Sequence, residues 1–255
     1  MNKEKIGIIG CGWLGYRLAQ YLGDHFEIRT TVTSPDKMDM LLTGGFHLEL
    51  VNFETNEHAE WQPWKKLTVL DHIIITVPLF SKRIDNDRLQ ARIRNLSRFI
   101  SSFQGNLILM SSIGVYQGFT GTVTEAMLPP LEVAGEKEMK ALFSQLNILR
   151  LGGLMGDDRL LGKYKVTEID NCVNHIHFMD ICRIVQILIT RKVQSSVYNV
   201  TAPSHPSKRA VINEQLSVRD AYLPAPGGKM VVSQKLIDEF GYQFLYPDPR
   251  YFHLV

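Results

Sequence analysis

The residues best suited to chemistry in this 255-residue chain are three glycines close to its N-terminus. They form a G-x-G-x-x-G motif between an apolar stretch and a run of leucines at helical spacing. In a strand–turn–helix unit, Gly10 permits the tight turn, Gly12 lets an anion approach the backbone, and Gly15 lets the helix pack closely on the strand. The N–H groups at the helix start, at Trp13 and Leu14, would then face a pyrophosphate. The motif predicts a dinucleotide site, with a glycine turn that binds nothing as the alternative.

The end of the second predicted strand bears on which dinucleotide would bind. An acidic residue there would accept hydrogen bonds from the ribose hydroxyls of NAD and repel a 2′-phosphate. The chain instead places two hydroxyls, Thr33 and Ser34, before Asp36 and the cation Lys37. Thr33, Ser34 and Lys37 could hold a phosphate, whereas Asp36 is explained as an acid in the first turn of the next helix. The sequence therefore favours NADP as the cofactor and leaves NAD open.

The elements that must position these residues are apolar strands alternating with amphipathic helices, a pattern typical of a parallel sheet covered on both faces. Strands are predicted at residues 5–9, 27–32, 47–51, 71–77, 106–110 and 147–151. A helix stripe carries Leu89, Ile93, Leu96, Ile100 and Phe103. Beyond residue 156 the regularity weakens, and prolines interrupt the chain. We predict the α/β class, with a Rossmann-type doubly wound parallel sheet and a small irregular C-terminal substrate lobe.

This reading also predicts the domains. Residues 1–156 would form the dinucleotide-binding domain and residues 157–255 the C-terminal part, with residues 172–200 returning to the sheet. Thr76, Val77 and Pro78 end the fourth strand. Since dinucleotides lie across the carboxyl ends of such strands, these three residues are expected to contact the cofactor.

Composition argues against several other classes of protein. A net charge of +2 is too mild to indicate binding to nucleic acid or to an anionic membrane surface. No segment approaches the ~20 apolar residues of a membrane span. Glycines interrupt the apolar N-terminus, which is therefore not interpreted as a signal peptide. The three cysteines are odd in number and lack metal-ligand spacing, so we expect a reduced, cytoplasmic setting.

Two histidines and an aspartate form a candidate metal site. His175 and His177 alternate along a predicted strand, and Asp180 follows three residues later. Two imidazoles and a carboxylate could in principle ligate a metal. We expect instead that Asp180 caps the following helix and that His177 packs within the fold, so no metal is predicted.

Five further segments carry motifs in a characteristic order. They are S-S-I-G-V-Y at 111–116, T-E at 124–125 with P-P at 129–130, L-R-L-G-G-L-M-G at 149–156, I-H-F-M-D at 176–180 and Y-N-V at 198–200. Together they resemble the extended short-chain dehydrogenases/reductases, which include the NAD-dependent epimerases and dehydratases of nucleotide sugars. The resemblance implies cofactor contacts at Ser111, Gly152 and Gly153, and a small-molecule substrate such as a nucleotide sugar. It also implies a homodimer formed by the helices near residues 89–103 and 132–145.

The same resemblance identifies candidate catalytic residues. In that family a Tyr acts as general acid/base, a Lys lowers the pKa of the Tyr, and a Ser or Thr holds the substrate oxygen. The Ser role falls on Ser112, four residues before Tyr116. The Tyr-x-x-x-Lys pair should follow in the helix predicted from residue 132, which contains no tyrosine. Matching Gly135 to the family's Y-G-x-x-K places Ala134 on the Tyr and Glu138 on the Lys. Alanine cannot transfer a proton, and the negative charge of glutamate cannot lower the pKa of a tyrosine as a lysine does. The chain therefore resembles an atypical subgroup, often described as nucleoside-diphosphate-sugar epimerases, in which this pair is absent.

Two functions stay open from the sequence. The first is an NADP-dependent oxidoreductase or epimerase acting on a hydroxyl- or carbonyl-bearing metabolite, in which Ser112 holds the oxygen and Tyr116 or a water moves the proton. Tyr116 is equally explained as a packed aromatic beside the cofactor. Arg159 could contact the pyrophosphate of a sugar nucleotide, although a solvated loop arginine explains it too. The second function is a non-catalytic, cofactor-binding sensor or scaffold. We favour the enzyme.

Overall fold

The computed structural model describes residues 3–42, 45–54, 61–79, 85–218 and 224–254. The strands are β1 (Lys5–Ile9), β2 (Glu27–Val32), β3 (His47–Leu50), β4 (His72–Ile75), β5 (Asn106–Ser112), β6 (Gly121–Val123), β7 (Asn147–Leu151), β8 (Gly153–Met155), β9 (His175–His177), β10 (Val197–Val200) and β11 (Lys229–Val231). The helices are α1 (Trp13–Gly23), α2 (Pro35–Leu42), α3 (Asn86–Ile100), α4 (Ala134–Leu142), α5 (Phe178–Thr190), α6 (Lys208–Gln215) and α7 (Gln234–Phe240).

Seven of these strands form one sheet, in the order β10-β7-β5-β4-β1-β2-β3. β1 pairs in parallel with β2 on one side and with β4 on the other, and β3 and β5 extend the sheet outward. The strand order reverses between β1 and β4, which makes this the switch point where a crevice opens at the carboxyl ends. The Rossmann-type doubly wound sheet predicted from the sequence is thereby confirmed.

The chain divides into two compact units. The first contains Met1–Ser111, Pro130–Ile148 and Val185–Ser196, and the second contains Ser112–Pro129, Leu149–Ile184 and Val197–Val255. The predicted division at residue 156, with residues 172–200 returning to the sheet, stays a prediction. Each of the two units is made of three segments that alternate along the chain. The crossovers of a doubly wound fold produce such interleaving, because segments distant in sequence pack side by side.

In the first unit, the apolar residues that the sequence pattern placed on strands and helix stripes are buried. The isoleucines of β1 and β4 are inaccessible to solvent, and so are Leu18 and Leu22 of α1. On α3, Ile93, Leu96 and Ile100 of the predicted stripe are buried. α3 begins where the Asp85 side chain accepts a hydrogen bond from the N–H of Arg88 (2.9 Å). α4 is shorter than the helix predicted over 132–145, since its first turn starts only at Ala134.

The second unit contains more regular structure than the sequence indicated. Two short parallel pairs, β6–β11 and β8–β9, are too brief to show a clear period of two in the sequence. Asp180 is not a helix cap, because α5 already begins at Phe178. Its buried carboxylate instead accepts hydrogen bonds from the Tyr242 hydroxyl (2.7 Å) and from the N–H groups of Leu245 (2.8 Å) and Tyr246 (3.0 Å). Asp180 therefore ties down the C-terminal segment.

Membrane-spanning helices and metal-binding clusters are both absent from the residues the structure describes. No helix in these ranges is long and apolar enough to cross a bilayer. Within the same ranges, no group of three or more His, Cys, Asp or Glu residues is arranged to hold a metal ion.

Candidate functional site

The glycine turn between β1 and α1 is held by β2. Gly10 has a positive φ of 101°, a conformation that side chains rarely adopt. Its N–H donates to the Thr31 hydroxyl (3.0 Å), and the N–H of Cys11 donates to the Thr31 carbonyl (2.7 Å). The N–H of Gly12 returns to the Gly10 carbonyl (2.9 Å). The N–H groups of Gly10 and Cys11 are thus satisfied by β2, and that of Gly12 by the turn itself. These bonds fix the direction in which α1 leaves the sheet.

Gly15 is required by close packing inside the same turn. A Cβ atom at this position would lie 2.2 Å from the Gly10 carbonyl oxygen, a backbone atom that cannot swing aside. A Cβ atom at Gly10 would lie 2.9 Å from the Thr76 Oγ1. The fold itself therefore accounts for the absence of side chains at Gly10 and Gly15.

Gly12 is different, because nothing in the fold requires a glycine there. Its φ of −83° is available to any residue, and a Cβ atom would meet nothing within 4 Å. Gly12 is the N-cap residue of α1 and, as a glycine, offers no side-chain hydrogen bond to the first N–H groups of the helix. Open space in front of a helix start with N–H donors is the arrangement that binds phosphate groups.

The two residues after Gly12 have distinct surroundings. Leu14 is buried in the core under α1. Trp13 is half-buried, and the guanidinium carbon of Arg17 lies 3.8 Å from the centroid of its ring. Arg17 also donates a hydrogen bond to the Trp13 carbonyl (2.9 Å). Because the Leu14 side chain is buried, this residue could contact a bound anion only through its backbone N–H.

The residues predicted to choose between NADP and NAD lie at the carboxyl end of β2. Thr33 and Lys37 are exposed and Ser34 is half-buried. Asp36 is exposed in the first turn of α2, as predicted. Two hydroxyls and a cation at this end of the strand are thus accessible to a ligand. Cys11, by contrast, is buried, and this burial raises the pKa of its thiol, so it is not available as a thiolate.

The end of β4 fastens to the glycine turn. The Thr76 N–H and hydroxyl both donate to the Ile9 carbonyl (2.9 and 3.2 Å), and the hydroxyl also contacts the Gly10 carbonyl. Pro78 is exposed, and its carbonyl accepts a hydrogen bond from Arg92. Val77 is half-buried between them. Thr76 is thus explained by the fold, whereas Val77 and Pro78 stand at the open carboxyl end of the sheet.

A residue that the sequence reasoning missed lies against the end of β5. The Ser111 hydroxyl donates a hydrogen bond to Oε1 of Glu136 on α4 (2.6 Å). The Glu136 side chain is buried, with only 2% of the residue exposed. A helical stripe could have revealed it, because Glu136 precedes the buried Met139 and Phe143 by three and seven residues. A carboxylate on the apolar face of a helix is unusual enough to indicate a specific role.

Ala134 and Glu138 are the positions that the sequence resemblance matches to the Tyr and Lys, and both lie on α4. Ala134 is exposed at the first turn of α4. Glu138 is half-buried, and its Oε1 accepts a hydrogen bond from Gln90 of α3 (3.2 Å). Gly135 packs so closely that a Cβ atom would lie 2.6 Å from the Leu79 carbonyl oxygen. Close packing against Leu79 thus explains why this position holds a glycine.

The two predicted catalytic residues, Ser112 and Tyr116, lie in the second unit between the end of β5 and the start of β6. Both have hydrogen-bond partners within the fold. The Tyr116 hydroxyl is completely buried, donates to Asn199 Oδ1 (2.8 Å) and accepts from Arg150 Nη1 (2.7 Å). Burial raises the pKa of Tyr116, while Arg150 opposes that rise. Ser112 accepts a hydrogen bond from the N–H of Gly114 (3.0 Å) and caps a short turn. These contacts favour the packed aromatic over the proton carrier for Tyr116.

Packing accounts for the two glycines that follow β7. A Cβ atom at Gly152 would lie 2.4 Å from the Asn174 carbonyl oxygen, and one at Gly153 would lie 2.6 Å from Cδ2 of His175. Burial lowers the pKa of His175 to about 4, and the charge of Lys208 contributes to the shift. Neither glycine needs a cofactor to explain it, so their predicted contacts with a cofactor stay predictions.

The second unit also contains a pocket of about 450 Å³. Among the described residues that line it are three cations, Arg159, Lys165 and Lys208, and no carboxylate. The exposed Tyr164 and apolar side chains complete the lining. Lys208 donates to the Thr167 carbonyl (2.9 Å), and its Nζ lies 3.9 Å from the exposed carboxylate of Glu168. The pocket combines positive charge with apolar surface, which suits an anionic organic molecule.

Sheet order, the glycine turn and the packing of the helix after it define an α/β protein with a Rossmann-type doubly wound sheet. No family model matches the chain. Protein YeeZ of Escherichia coli (strain K12) is 25% identical over 267 residues, covering 96% of this chain and 97% of that protein. The dTDP-glucose 4,6-dehydratase of Bacillus anthracis in complex with NAD has a TM-score of 0.72 at 13% identity, covering 97% of this chain and 93% of that one. The human epimerase family protein SDR39U1 with NADPH has a TM-score of 0.66 at 14% identity, covering 97% of each chain. At these identities the likeness confirms the predicted resemblance at the level of the fold.

Proposed function

We propose that this chain binds NADP(H) or NAD(H) at the turn between β1 and α1, with the pyrophosphate over Gly12, Trp13 and Leu14. The observation that carries the proposal is the open space in front of Gly12, a glycine at the N-cap position of α1 where a Cβ atom would meet nothing within 4 Å. A glycine that the fold does not require is explained by a ligand that must approach the backbone. Two similar structures support the same cofactor class, since one is described in complex with NAD and the other with NADPH.

NADP is the preferred cofactor in this proposal. Thr33, Ser34 and Lys37 present two hydroxyls and a cation at the end of β2, where the adenosine ribose of a dinucleotide lies. The two residues directly after β2, Thr33 and Ser34, carry no charge that would repel a 2′-phosphate. The next acidic residue, Asp36, belongs to the first turn of α2. The preference rests on one cation and is therefore expected to be modest.

The activity we favour is that of an oxidoreductase or epimerase on a small hydroxyl- or carbonyl-bearing metabolite. The cofactor would exchange a hydride with the substrate carbon. The pocket of the second unit, with Arg159, Lys165 and Lys208, supports an anionic substrate. A nucleotide sugar fits this description, and one similar structure is a dTDP-glucose dehydratase. Ser112 remains a candidate for holding the reacting oxygen.

The test of cofactor binding is calorimetry with NADP⁺ and NADPH on the parent and on Gly12→Val. Because the added side chain would occupy the space that the pyrophosphate needs, affinity should fall at least a hundredfold while the thermal unfolding midpoint changes little. Gly23→Ala is the matched control at the other end of α1, where a Cβ atom would make only ordinary contacts. Undiminished affinity in Gly12→Val would show that the pyrophosphate lies elsewhere.

A second function, a non-catalytic cofactor-binding sensor or scaffold, is favoured by one specific observation. The Tyr116 hydroxyl has both of its hydrogen-bonding roles filled by Arg150 and Asn199, and Ala134 stands where the family has its acid. Tight cofactor binding without turnover of any compound in a broad panel of sugar nucleotides and carbonyl compounds would support the sensor. Turnover of any of them would exclude it.

A further inference from the structure

Arg92 of α3 joins two loops at the carboxyl edge of the first unit's sheet. Glu54 lies in the loop that follows β3, and Pro78 lies in the loop that follows β4. The Arg92 guanidinium donates to both of them, from Nη1 to the Pro78 carbonyl and from Nη2 to the Glu54 carboxylate. Only 5% of the residue is exposed. Because β3 and β4 run parallel to the strands between them, their carboxyl ends lie at the same edge, and one buried side chain links the two loops.

A second arginine on the same helix shows which of these contacts is particular to Arg92. Arg88 donates to the same Glu54 carboxylate (3.1 Å), but its side chain is 60% exposed. Asn95, further along α3, donates to the Phe53 carbonyl (3.0 Å). The loop after β3 is therefore anchored by Arg88 and Asn95 as well as by Arg92, whereas Arg92 also reaches the loop after β4. Glu54 balances the charge that is buried to make this second contact.

The loop after β4 lies against the glycine turn. The Thr76 N–H donates to the carbonyl of the last residue of β1 (2.9 Å). A Cβ atom at Gly10 would lie 3.0 Å from Cγ2 of Val77, so this valine borders the turn directly. Pro78 comes next, and its carbonyl is the acceptor for Arg92. The hydrogen bond from Arg92 therefore holds the residue that follows Val77, and with it the distance between Val77 and the turn.

We infer that Arg92 is a positioning residue of the proposed dinucleotide site and acts through Val77 and Pro78. The two halves of a dinucleotide lie on opposite sides of the switch point between β1 and β4. The adenosine half belongs to the β2 side and the nicotinamide half to the β4 side, where the half-buried Val77 and the exposed Pro78 stand. A displacement of contact groups by about 1 Å is enough to weaken a binding site. The inference rests on the proposed dinucleotide site and adds to it a residue that sets the affinity for the nicotinamide half.

The experiment compares two ligands by calorimetry, NADP⁺ and its adenosine-side fragment 2′,5′-ADP, on the parent and on Arg92→Met. Methionine keeps a long, unbranched apolar side chain but lacks both hydrogen bonds. The dissociation constant for NADP⁺ should rise by on the order of tenfold, the loss expected for a hydrogen bond made by a charged group. The constant for 2′,5′-ADP should change by less than about twofold, because the fragment does not extend to the β4 side. A general loosening of the fold would instead raise both constants alike.

Arg88→Met is the matched control, because Arg88 lies on the same helix and donates to the same carboxylate. It should change either constant by less than about twofold, as expected for an exposed ion pair. An unchanged constant for NADP⁺ in Arg92→Met, an equal rise for both ligands, or an equal effect of Arg88→Met would overturn the inference and leave the dinucleotide site standing.

A second variant covers the case in which Arg92→Met does not fold by circular dichroism. Arg92→Lys keeps the charge that pairs with Glu54, but its single ammonium group lacks the planar fork that reaches both partners at once. It should also raise the constant for NADP⁺, and parent-like affinity would overturn the inference. Absence of NADP⁺ binding by the parent would overturn the proposed function and this inference with it.

Discussion

Nη1 of Arg150 donates a hydrogen bond to the hydroxyl of Tyr116 at 2.7 Å, and both side chains are completely buried. The same guanidinium donates to the Leu128 carbonyl (2.8 Å), and the tyrosine hydroxyl donates onward to Asn199 (2.8 Å). Asn199 is fixed in turn, because its N–H donates to the carboxylate of Glu125 (2.6 Å). A buried network of this kind is costly to leave incomplete, so its members are expected to matter for stability.

Tyr116→Phe should therefore destabilise the protein without weakening cofactor binding. Removal of the hydroxyl leaves Arg150 and Asn199 each with one fewer buried partner, at a cost of about 1–3 kcal/mol in the free energy of unfolding. Urea denaturation gives that free energy, and calorimetry gives the affinity for NADP(H). Tyr164→Phe, at an exposed tyrosine, is the control and should change stability by less than about 0.5 kcal/mol. A stable Tyr116→Phe protein that loses turnover of a newly found substrate would instead restore Tyr116 as the proton carrier.

Gly15→Ala and Gly12→Ala should separate folding from binding. The Cβ atom added at Gly15 would lie 2.2 Å from the Gly10 carbonyl oxygen, so the helix must shift and the free energy of unfolding should fall by about 3 kcal/mol. The Cβ atom added at Gly12 meets no atom, so only the weaker cap costs stability, about 1 kcal/mol. Cofactor affinity should nevertheless fall in Gly12→Ala. Equal losses of stability in the two variants, measured by urea denaturation, would contradict the distinct roles assigned to these glycines.

The contrast between these glycines and Glu136 shows how much the sequence could predict. The strands, the glycine turn and the α3 stripe are local patterns, and their spacing alone indicated the sheet. The contact of Ser111 with Glu136 joins residues 25 apart, and that of Tyr116 with Arg150 joins residues 34 apart. Both contacts depend on how helices and loops pack on the sheet, which no periodicity encodes. Asp180 was misassigned for a related reason, because its partners belong to a C-terminal segment more than 60 residues away.

Lys37→Ala should reduce the affinity for NADP⁺ and leave that for NAD⁺ unchanged. The exposed lysine at the end of β2 is the cation proposed to contact the 2′-phosphate, which only NADP⁺ carries. A loss of about three- to tenfold is expected, equivalent to about 0.7–1.4 kcal/mol. Lys66→Ala, at another exposed lysine of the first unit, is the control for net charge. Should the parent itself prefer NAD⁺ by tenfold or more, the assignment of NADP would be wrong.

The chain is expected to form a homodimer through α3 and α4, as the family resemblance implies. Leu131 and Leu142, just before and at the end of α4, are exposed large hydrophobic residues, with 63% and 59% of their surface accessible. Burial of such residues between two copies would stabilise association. Light scattering at micromolar concentration should give twice the chain mass for the parent and a lower mass for Leu142→Glu. A monomeric parent would remove this prediction.

His175 should make the stability of the protein fall as the pH falls below neutrality. Burial against Gly153 lowers the pKa of its imidazole to about 4, whereas in an unfolded chain it is about 6.5. Between these two values the unfolded state binds more protons than the folded state, so stability increases with pH over this window and is lost as the pH falls through it. The lowered pKa limits the loss to about 3 kcal/mol. Urea denaturation at pH 7 and pH 4 should show a much smaller difference for His175→Gln than for the parent. His25→Gln, at an exposed histidine, is the control, and a parent-like pH dependence in His175→Gln would show that other groups cause the loss.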